Sequence, residues 1–329
     1  MKSLHRGLGL ASLMFVLTFC AGVWAAPQGK GLIGEWDMKF NFDGQQMTSI
    51  LSFAKGKEGE LTAQWVSIMG ISEVKEIKRE GKDIIFTLIS QFGYQEFTSN
   101  FIGTLEKGEL SGLLSTDQGE ITTEGKKLKR MPAILGSWNM TIKMGEREFN
   151  TMLLVTTDKQ KKLQAEWQSE WGEHEITDVQ FKDGKLRFSR VSKFGDREWE
   201  TTYEGTLKGH TLTGTFSSQQ GQIPANGKRV GAALVGKWDL TITSEQGPRK
   251  QRLTVLPDLN ARFGSLPIKK IGFEEGQVSF KMTLQFGDNE YEISFKGKLD
   301  AGKLTGKLTT SQGISEVTGT KIKSIRQKK

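Results

Sequence analysis

Apolar and polar residues alternate along most of this chain, with the two-residue period of a β-strand. In the first such run, Trp36, Met38 and Phe40 fall on one side, while Asp37 and Lys39 fall on the other. A strand with this pattern buries one face and exposes the other to solvent. Helical periodicity is missing after residue 26, so the sequence predicts an all-β protein.

Eight alternating runs follow one another in the first hundred residues or so after the leader. The connections between them have two to five residues, which is too short for a parallel crossover, so neighbouring strands are predicted to be antiparallel. Sequential antiparallel strands close most readily as an up-and-down barrel, which removes the sheet edges. The predicted strands are 33–42, 45–55, 60–69, 71–79, 83–91, 94–106, 109–117 and 119–130.

The same pattern is repeated three times, and each copy opens on a Gly-x-Trp motif. Copies one and two align without a gap at an offset of 102 residues, whereas copy three has two four-residue deletions in its first half. Internal repetition of this length indicates tandem domains. The sequence therefore predicts three small antiparallel β-barrels of about eight strands each, with these boundaries: repeat 1 over 31–130, repeat 2 over 131–231, repeat 3 over 232–324, and a basic tail over 325–329.

The first 25 residues have a different character. Lys2 and Arg6 precede an apolar run, and Val23 and Ala25 supply the small residues that precede a cleavage site. This is the pattern of a secretory signal peptide over 1–25, so the chain is expected to be exported, to the periplasm or the extracellular space. Cys20, the only cysteine, lies inside this segment, and a lipid anchor at Cys20 stays open as an alternative to cleavage.

Charge is unevenly distributed among the copies. The whole chain carries a net charge of +8, and the balance runs from −3 in residues 33–130 to +7 in residues 233–329. A basic patch on repeat 3 would attract an anionic surface or polymer, although a solubilising surface has the same composition. No specific nucleic-acid motif is present. With only three Tyr in the chain, a transmembrane barrel with aromatic girdles is not expected.

Residues for catalysis are scarce. The three histidines are His5, His174 and His210, and copy one has Ser72 and Gly108 at the positions aligned with the last two. A repeated His-based catalytic or metal site is thereby excluded, and no Gly-rich phosphate loop leads into a helix. We therefore predict no catalytic residue, no metal site and no cofactor, and we do not expect an enzyme; catalysis is kept as a third alternative.

A second aromatic position recurs inside each copy. Together with a recurring Phe it forms one set of candidate lumen residues: Trp65, Phe86, Trp167, Phe188, Phe263 and Phe280. These side chains are candidates for lining a pocket that holds a small apolar ligand. The alternative is a packed core, because an eight-stranded barrel is just wide enough to be filled by its own side chains.

A Gly-x-Trp motif at the start of the first strand resembles the calycin superfamily, which includes lipocalins, fatty-acid-binding proteins and avidins. The chain is also similar to exported bacterial repeat proteins of unknown function. The resemblance implies lipocalin-like barrels in which a basic residue of the last strand packs over the Trp and closes one end. The implied pairs are Trp36 with Lys127, Trp138 with Arg229, and Trp238 with Lys321. No ligand is implied, because the polar set that holds biotin in avidins is not found.

These observations predict an exported, non-enzymatic binding protein whose barrels hold small apolar ligands. The alternative is a structural or interaction array of solid barrels, which would bind an anionic envelope polymer or a partner protein through the basic repeat 3.

Overall fold

The computed structural model describes residues 31–322, apart from residues 43, 171, 246 and 288. All regular secondary structure in this part is β, and every ladder is antiparallel, which confirms the predicted fold class. No helix among these residues has the length and apolar character needed to cross a membrane. The predicted signal peptide (1–25), Cys20 and the basic tail (325–329) lie outside the described residues.

The first repeat forms a closed barrel, barrel 1, in which each strand pairs with the next and the last returns to the first. Its bounds lie within about two residues of the predicted strands, except at the end of the last one. The strands are β1 (Gly34–Phe42), β2 (Gln45–Lys55), β3 (Leu61–Ser67), β4 (Gly70–Glu80), β5 (Asp83–Phe92), β6 (Gln95–Glu106), β7 (Glu109–Thr116) and β8 (Gly119–Lys127).

The second repeat, barrel 2, has the same strand order, and its first strand again pairs with its last. Within the described residues, no ladder joins the third and fourth strands, β11 and β12, although the two strands lie close together. Its strands are β9 (Gly136–Met144), β10 (Arg147–Thr157), β11 (Leu163–Gln168), β12 (Glu173–Lys182), β13 (Lys185–Phe194), β14 (Arg197–Lys208), β15 (Thr211–Ser218) and β16 (Gly221–Arg229).

The third repeat, barrel 3, has nine strands instead of the eight predicted. Barrels 1 and 2 have a register shift in the fourth strand, at Lys75/Lys78 and Thr177/Gln180. In barrel 3 the corresponding strand is broken in two at this place, and Ile271, which lies in the break, is buried. The strands are β17 (Gly236–Ser244), β18 (Gly247–Val255), β19 (Ala261–Phe263), β20 (Leu266–Ile268), β21 (Gly272–Glu274), β22 (Gln277–Phe286), β23 (Asn289–Asp300), β24 (Lys303–Thr310) and β25 (Gly313–Lys321).

Each barrel has a hydrophobic core of its own, and one arrangement recurs in all three. In barrel 1, Gly103 and Gly112 are direct cross-strand partners, and the Phe101 ring lies flat over both. A Cβ atom on either glycine would come within 2.8 Å of the ring, so no larger residue fits beneath it. Tyr203 in barrel 2 and Phe295 in barrel 3 cover glycine pairs in the same way.

Barrels 1 and 3 pack against each other, although they are not neighbours along the chain. Ile68, at the tip of the β3–β4 hairpin of barrel 1, is buried in the hydrophobic core of barrel 3. The fully buried Gln251 of β18 donates its side-chain N–H groups to the carbonyl oxygens of Ser67 (3.2 Å) and Ile68 (2.9 Å). The hairpin of one barrel thus completes the wall of another, beside the strands shortened by the deletions.

Charged side chains surround this contact. Glu35 of barrel 1 pairs with Lys237 at 2.5 Å and with Arg262 at 2.9 Å. Arg252 bridges Asp239 of its own barrel and Gln64 of barrel 1. Part of the opposite charge of copies one and three is therefore neutralised within the molecule.

Candidate functional site

The motif Trp and the last-strand cation face each other at one end of every barrel, which we call the closed end. In barrels 1 and 3, the Nζ atoms of Lys127 and Lys321 lie 5.5 Å from the ring centroids of Trp36 and Trp238. The paired residues are also direct cross-strand partners. Each lysine also donates a hydrogen bond to a backbone carbonyl in the segment before the motif: Lys127 to Gly31, and Lys321 to Ala233.

Barrel 2 closes with an arginine. The Cζ atom of Arg229 lies 4.2 Å from the Trp138 centroid, and its guanidinium donates to the carbonyls of Ala133 and Leu135. It also reaches the carbonyl of Pro257 in barrel 3 at 3.2 Å. Burial lowers the pKa of Arg229 to about 10, but the group stays charged at neutral pH. The closed ends are thus occupied by structural contacts.

The six candidate lumen residues are all buried in the middle of the barrels. The register places Phe263 opposite Leu253, the position that Trp65 and Trp167 take in their own barrels. Their recurring partners stack on the aromatic residue over each glycine pair, with centroid distances of 4.5 Å for Phe86–Phe101, 4.9 Å for Phe188–Tyr203 and 5.2 Å for Phe280–Phe295. Aromatic rings therefore fill the middle of each barrel. Any space for a ligand lies nearer the end opposite the motif Trp, which we call the open end.

A cavity of about 270 Å³ lies at the open end of barrel 3, the end opposite Trp238. Ile242 and Leu308, both buried, form its apolar part, and Arg249 and Ser315 contribute polar groups. Gly93, in the β5–β6 turn of barrel 1, contributes to the rim, and the neighbouring Tyr94 ring lies against Gly247. None of the six predicted lumen residues lines this cavity.

Arg249 is the distinctive residue of the cavity. It is directly opposite Ile242 in the ladder, where barrels 1 and 2 have Met47 and Phe149. Burial lowers the pKa of its guanidinium, and none of the described residues forms an ion pair or side-chain hydrogen bond with it. Glu245 also lines the cavity, but it is not within ion-pair distance of Arg249. A mainly polar cavity with an apolar wall and one cation that has no partner among the described residues is suited to a small molecule with an anionic group and a short apolar body.

A second arginine occupies the interior of barrel 2. Arg190 follows the buried Phe188 on the inward face of β13, and its Cζ atom lies 3.9 Å from the Phe216 centroid and 4.8 Å from the Trp167 centroid. Its Nε atom is buried without a hydrogen-bond partner, and burial lowers its pKa to about 10. Barrels 1 and 3 have the buried apolar residues Leu88 and Met282 at the aligned positions.

Two polar side chains follow Arg190 toward the open end of barrel 2. His174 Nδ1 lies 2.9 Å from the Ser192 hydroxyl, and these two residues are cross-strand partners on β12 and β13. Across the described residues, no group of three His, Cys, Asp or Glu is placed to hold a metal ion. Sequence reasoning missed Arg190 and Arg249 because it looked for residues that recur; the available signal was an arginine at an inward position where the other copies are apolar.

Apolar surface is concentrated on barrel 1, not on the basic barrel 3. Ile85, Ile102 and Leu113 form an exposed cross-strand row on β5, β6 and β7, beside a shallow groove of about 390 Å³. The aligned residues of barrel 3 are Ser279, Lys296 and Lys307. This row of the outer surface is therefore apolar in barrel 1 and polar or basic in barrel 3.

No protein-family model matches the chain, and no curated protein matches it in sequence. Among solved structures, a putative outer membrane protein from Bacteroides fragilis is similar over 89% of this chain and 98% of its own, at 11% identity and a TM-score of 0.23. Transferrin binding protein B from Haemophilus parasuis is similar over 88% and 76%, at 11% identity and a TM-score of 0.21. A protein of unknown function from Nostoc punctiforme is similar over 90% and 98%, at 12% identity and a TM-score of 0.15. With such low scores these similarities carry no argument about function.

Proposed function

We propose that the chain is an exported, non-enzymatic binding protein that holds a small anionic amphiphile, such as a medium-chain carboxylate, in the open end of barrel 3. The observation that carries the proposal is the 270 Å³ cavity in which Arg249 has no partner among the described residues. The sequence predicted an apolar ligand among the aromatic core residues. The ligand proposed here also has an anionic group, and it binds in the space above those residues. Export rests on the pattern of residues 1–25.

The walls of the cavity support an amphiphile as the proposed ligand. Ile242 and Leu308 would cover an apolar chain, and burying that chain contributes about 0.8 kcal/mol for each CH₂ group. A carboxylate at Arg249 would supply the partner that this desolvated cation lacks, and the planar guanidinium matches a carboxylate with two parallel hydrogen bonds. The cavity is slightly smaller than the usual range for ligand sites, about 300–1,000 Å³, which favours a short chain over a long one.

Isothermal titration with octanoate tests the proposal. We expect binding to the unaltered protein, at least tenfold weaker binding to Arg249→Met, and unchanged binding to Lys250→Met, whose side chain is exposed on the same strand. Met is the residue that barrel 1 has at this position, so the variant should fold. Octanol, which has the chain without the charge, should bind more weakly than octanoate.

Two results would contradict the proposal. If octanoate binds Arg249→Met as tightly as the unaltered protein, the cation of this cavity has no role in binding. If native mass spectrometry of the exported protein detects no bound amphiphile and titration shows no heat, the solid-barrel interaction array becomes the better description.

A further inference from the structure

We propose that barrel 2 contains a second anion site, independent of the cavity in barrel 3, in which Arg190, His174 and Ser192 bind the carboxylate of a small planar organic acid. The proposal does not rest on the function proposed for barrel 3, because it concerns a different barrel and different residues.

Arg190 destabilises the unliganded barrel. Burying part of a charged group without a hydrogen-bond partner, as at the Arg190 Nε atom, destabilises a protein, and barrels 1 and 3 have the apolar residues Leu88 and Met282 in the same place. The guanidinium keeps its charge at neutral pH even with its lowered pKa. Contact with the Trp167 and Phe216 rings offsets part of the desolvation, but ring faces accept no conventional hydrogen bond from the five N–H donors.

The guanidinium of Arg190 lies between the aromatic core of barrel 2 and its open end. The Phe188–Tyr203 stack closes the interior below Arg190, and the strands continue above it to the open end. Ser192, two residues further along β13, and its cross-strand partner His174 supply additional polar groups on that side. A ligand entering from the open end would meet the unpaired guanidinium with the hydroxyl and imidazole beside it.

The charge and shape of the Arg190 guanidinium favour a carboxylate over a phosphate. One guanidinium carries a single positive charge, so a carboxylate balances it, whereas a phosphate with a charge near −2 would leave a negative charge unpaired in the interior. The two-pronged geometry of arginine also matches a carboxylate. Since the guanidinium already lies on two aromatic rings, a flat ligand such as a benzoate would extend the same stack.

Ligand-observed ¹⁹F NMR with 4-fluorobenzoate tests this site. We expect the probe signal to broaden with the unaltered protein, and acetate to compete with the probe. Affinity should fall at least tenfold in Arg190→Leu, which takes the residue of barrel 1, and also in Arg190→Lys, which keeps the charge without the planar fork. The control Arg187→Ser removes an exposed arginine of the same strand, using the residue of barrel 3, and should bind normally. Arg249→Met should also bind normally, which separates this result from the one for barrel 3.

Three results would overturn the inference. Unchanged binding by Arg190→Leu would show that the probe is held elsewhere. No binding by the unaltered protein would reduce Arg190 to a structural cation between rings. Tighter binding of inorganic phosphate than of 4-fluorobenzoate would refute the assignment of a carboxylate. Circular dichroism of both Arg190 variants checks that they fold, and the two independent substitutions keep the test valid if one of them does not.

Discussion

At the scale of single residues, the three closing cations have the same place but different surroundings. Lys127 and Lys321 each serve one barrel, and their side chains donate to one backbone carbonyl each. Arg229 has carbonyl partners in two barrels, which only the branched guanidinium can contact together. The single arginine among the three is therefore explained by the contact between barrels 2 and 3.

Substituting Arg229 by Lys should lower the free energy of unfolding by about 1–3 kcal/mol, because buried carbonyl groups lose their donors. Urea denaturation measures the change. Lys127→Arg is the matched control in the opposite direction and should change stability by less than about 0.5 kcal/mol, since the site has solvent on its outer side. Equal losses in both variants would refute the two-barrel role of Arg229.

Arg190, unlike Arg229, is expected to lower the stability of the folded protein. Replacing it by Leu removes a partly buried cation whose Nε atom has no hydrogen-bond partner, and it should raise the free energy of unfolding by about 1–3 kcal/mol even though it abolishes the proposed anion site. Thermal denaturation of the unliganded protein measures this gain. A lower melting temperature for Arg190→Leu would mean that the stacking of the guanidinium on Trp167 and Phe216 is stronger than its desolvation.

At the scale of elements, the paired glycines determine where an aromatic ring can lie flat in the barrel. In barrel 2, a Cβ at Gly214 would be 2.4 Å from the Glu204 carbonyl oxygen and 2.7 Å from the Tyr203 hydroxyl. Substitution there has to displace both the backbone of β14 and the ring.

Gly214→Ala should therefore destabilise barrel 2 by about 1–3 kcal/mol through overpacking. The exposed neighbour Thr213→Ala is the control on the same strand and should cost less than about 1 kcal/mol. Chemical denaturation followed by near-ultraviolet circular dichroism reports on the aromatic stack directly. An unchanged stack and unchanged stability in Gly214→Ala would contradict the packing argument.

The strand pattern of barrel 1 could be predicted from alternation alone, because each strand buries one face and the turns between strands are short. The extra strand of barrel 3 could not be predicted, since a deletion in a sequence does not say whether a strand shortens or breaks. The aromatic positions were found because they recur, and they proved to be buried in the packed interior. Arg190 and Arg249 depart from the repeat, and their importance is visible only when the inward faces of the three copies are compared.

At the scale of the whole molecule, the contact between barrels 1 and 3 accounts for part of the difference in net charge between copies one and three. The excess of basic residues in copy three predicted an anionic surface or polymer as a partner. Lys237 and Arg262 instead face Glu35 of barrel 1, so a part of the gradient holds the molecule together.

Ile68 belongs to repeat 1 in the sequence but should stabilise barrel 3. Ile68→Ala removes a buried side chain from the core of barrel 3 and should cost about 2–4 kcal/mol, with the loss of hydrogen-exchange protection concentrated in residues 233–322. The adjacent Met69 is 51% exposed, so Met69→Ala is expected to have little effect. Loss of protection confined to barrel 1 would contradict the assignment of Ile68 to the core of barrel 3.

The same interface should weaken in acid. Burial alone would raise the pKa of Glu35, but Lys237 and Arg262 outweigh this and hold the pKa below its ordinary value of 4.5. The folded-state pKa is thus lower than the unfolded-state pKa, so the contribution of Glu35 is complete above the ordinary value and disappears as the pH falls through the folded-state pKa.

Melting temperatures measured from pH 7 down to pH 3 should show Glu35→Gln less stable than the unaltered protein near neutrality, with the difference shrinking in acid. A difference that does not change with pH would show that the carboxylate charge is not what Lys237 and Arg262 recognise.

The insertion of Ile68 into barrel 3 also limits how this gene can evolve. Repeat arrays whose units touch only their sequence neighbours gain and lose units freely. Here the first unit completes the wall of the third, so an added or deleted unit between them would separate a hairpin from the core it fills. An insertion or loss of a unit between copies one and three is therefore disfavoured, and copy three, whose shortened strands pack against this hairpin, is not interchangeable with either of the others.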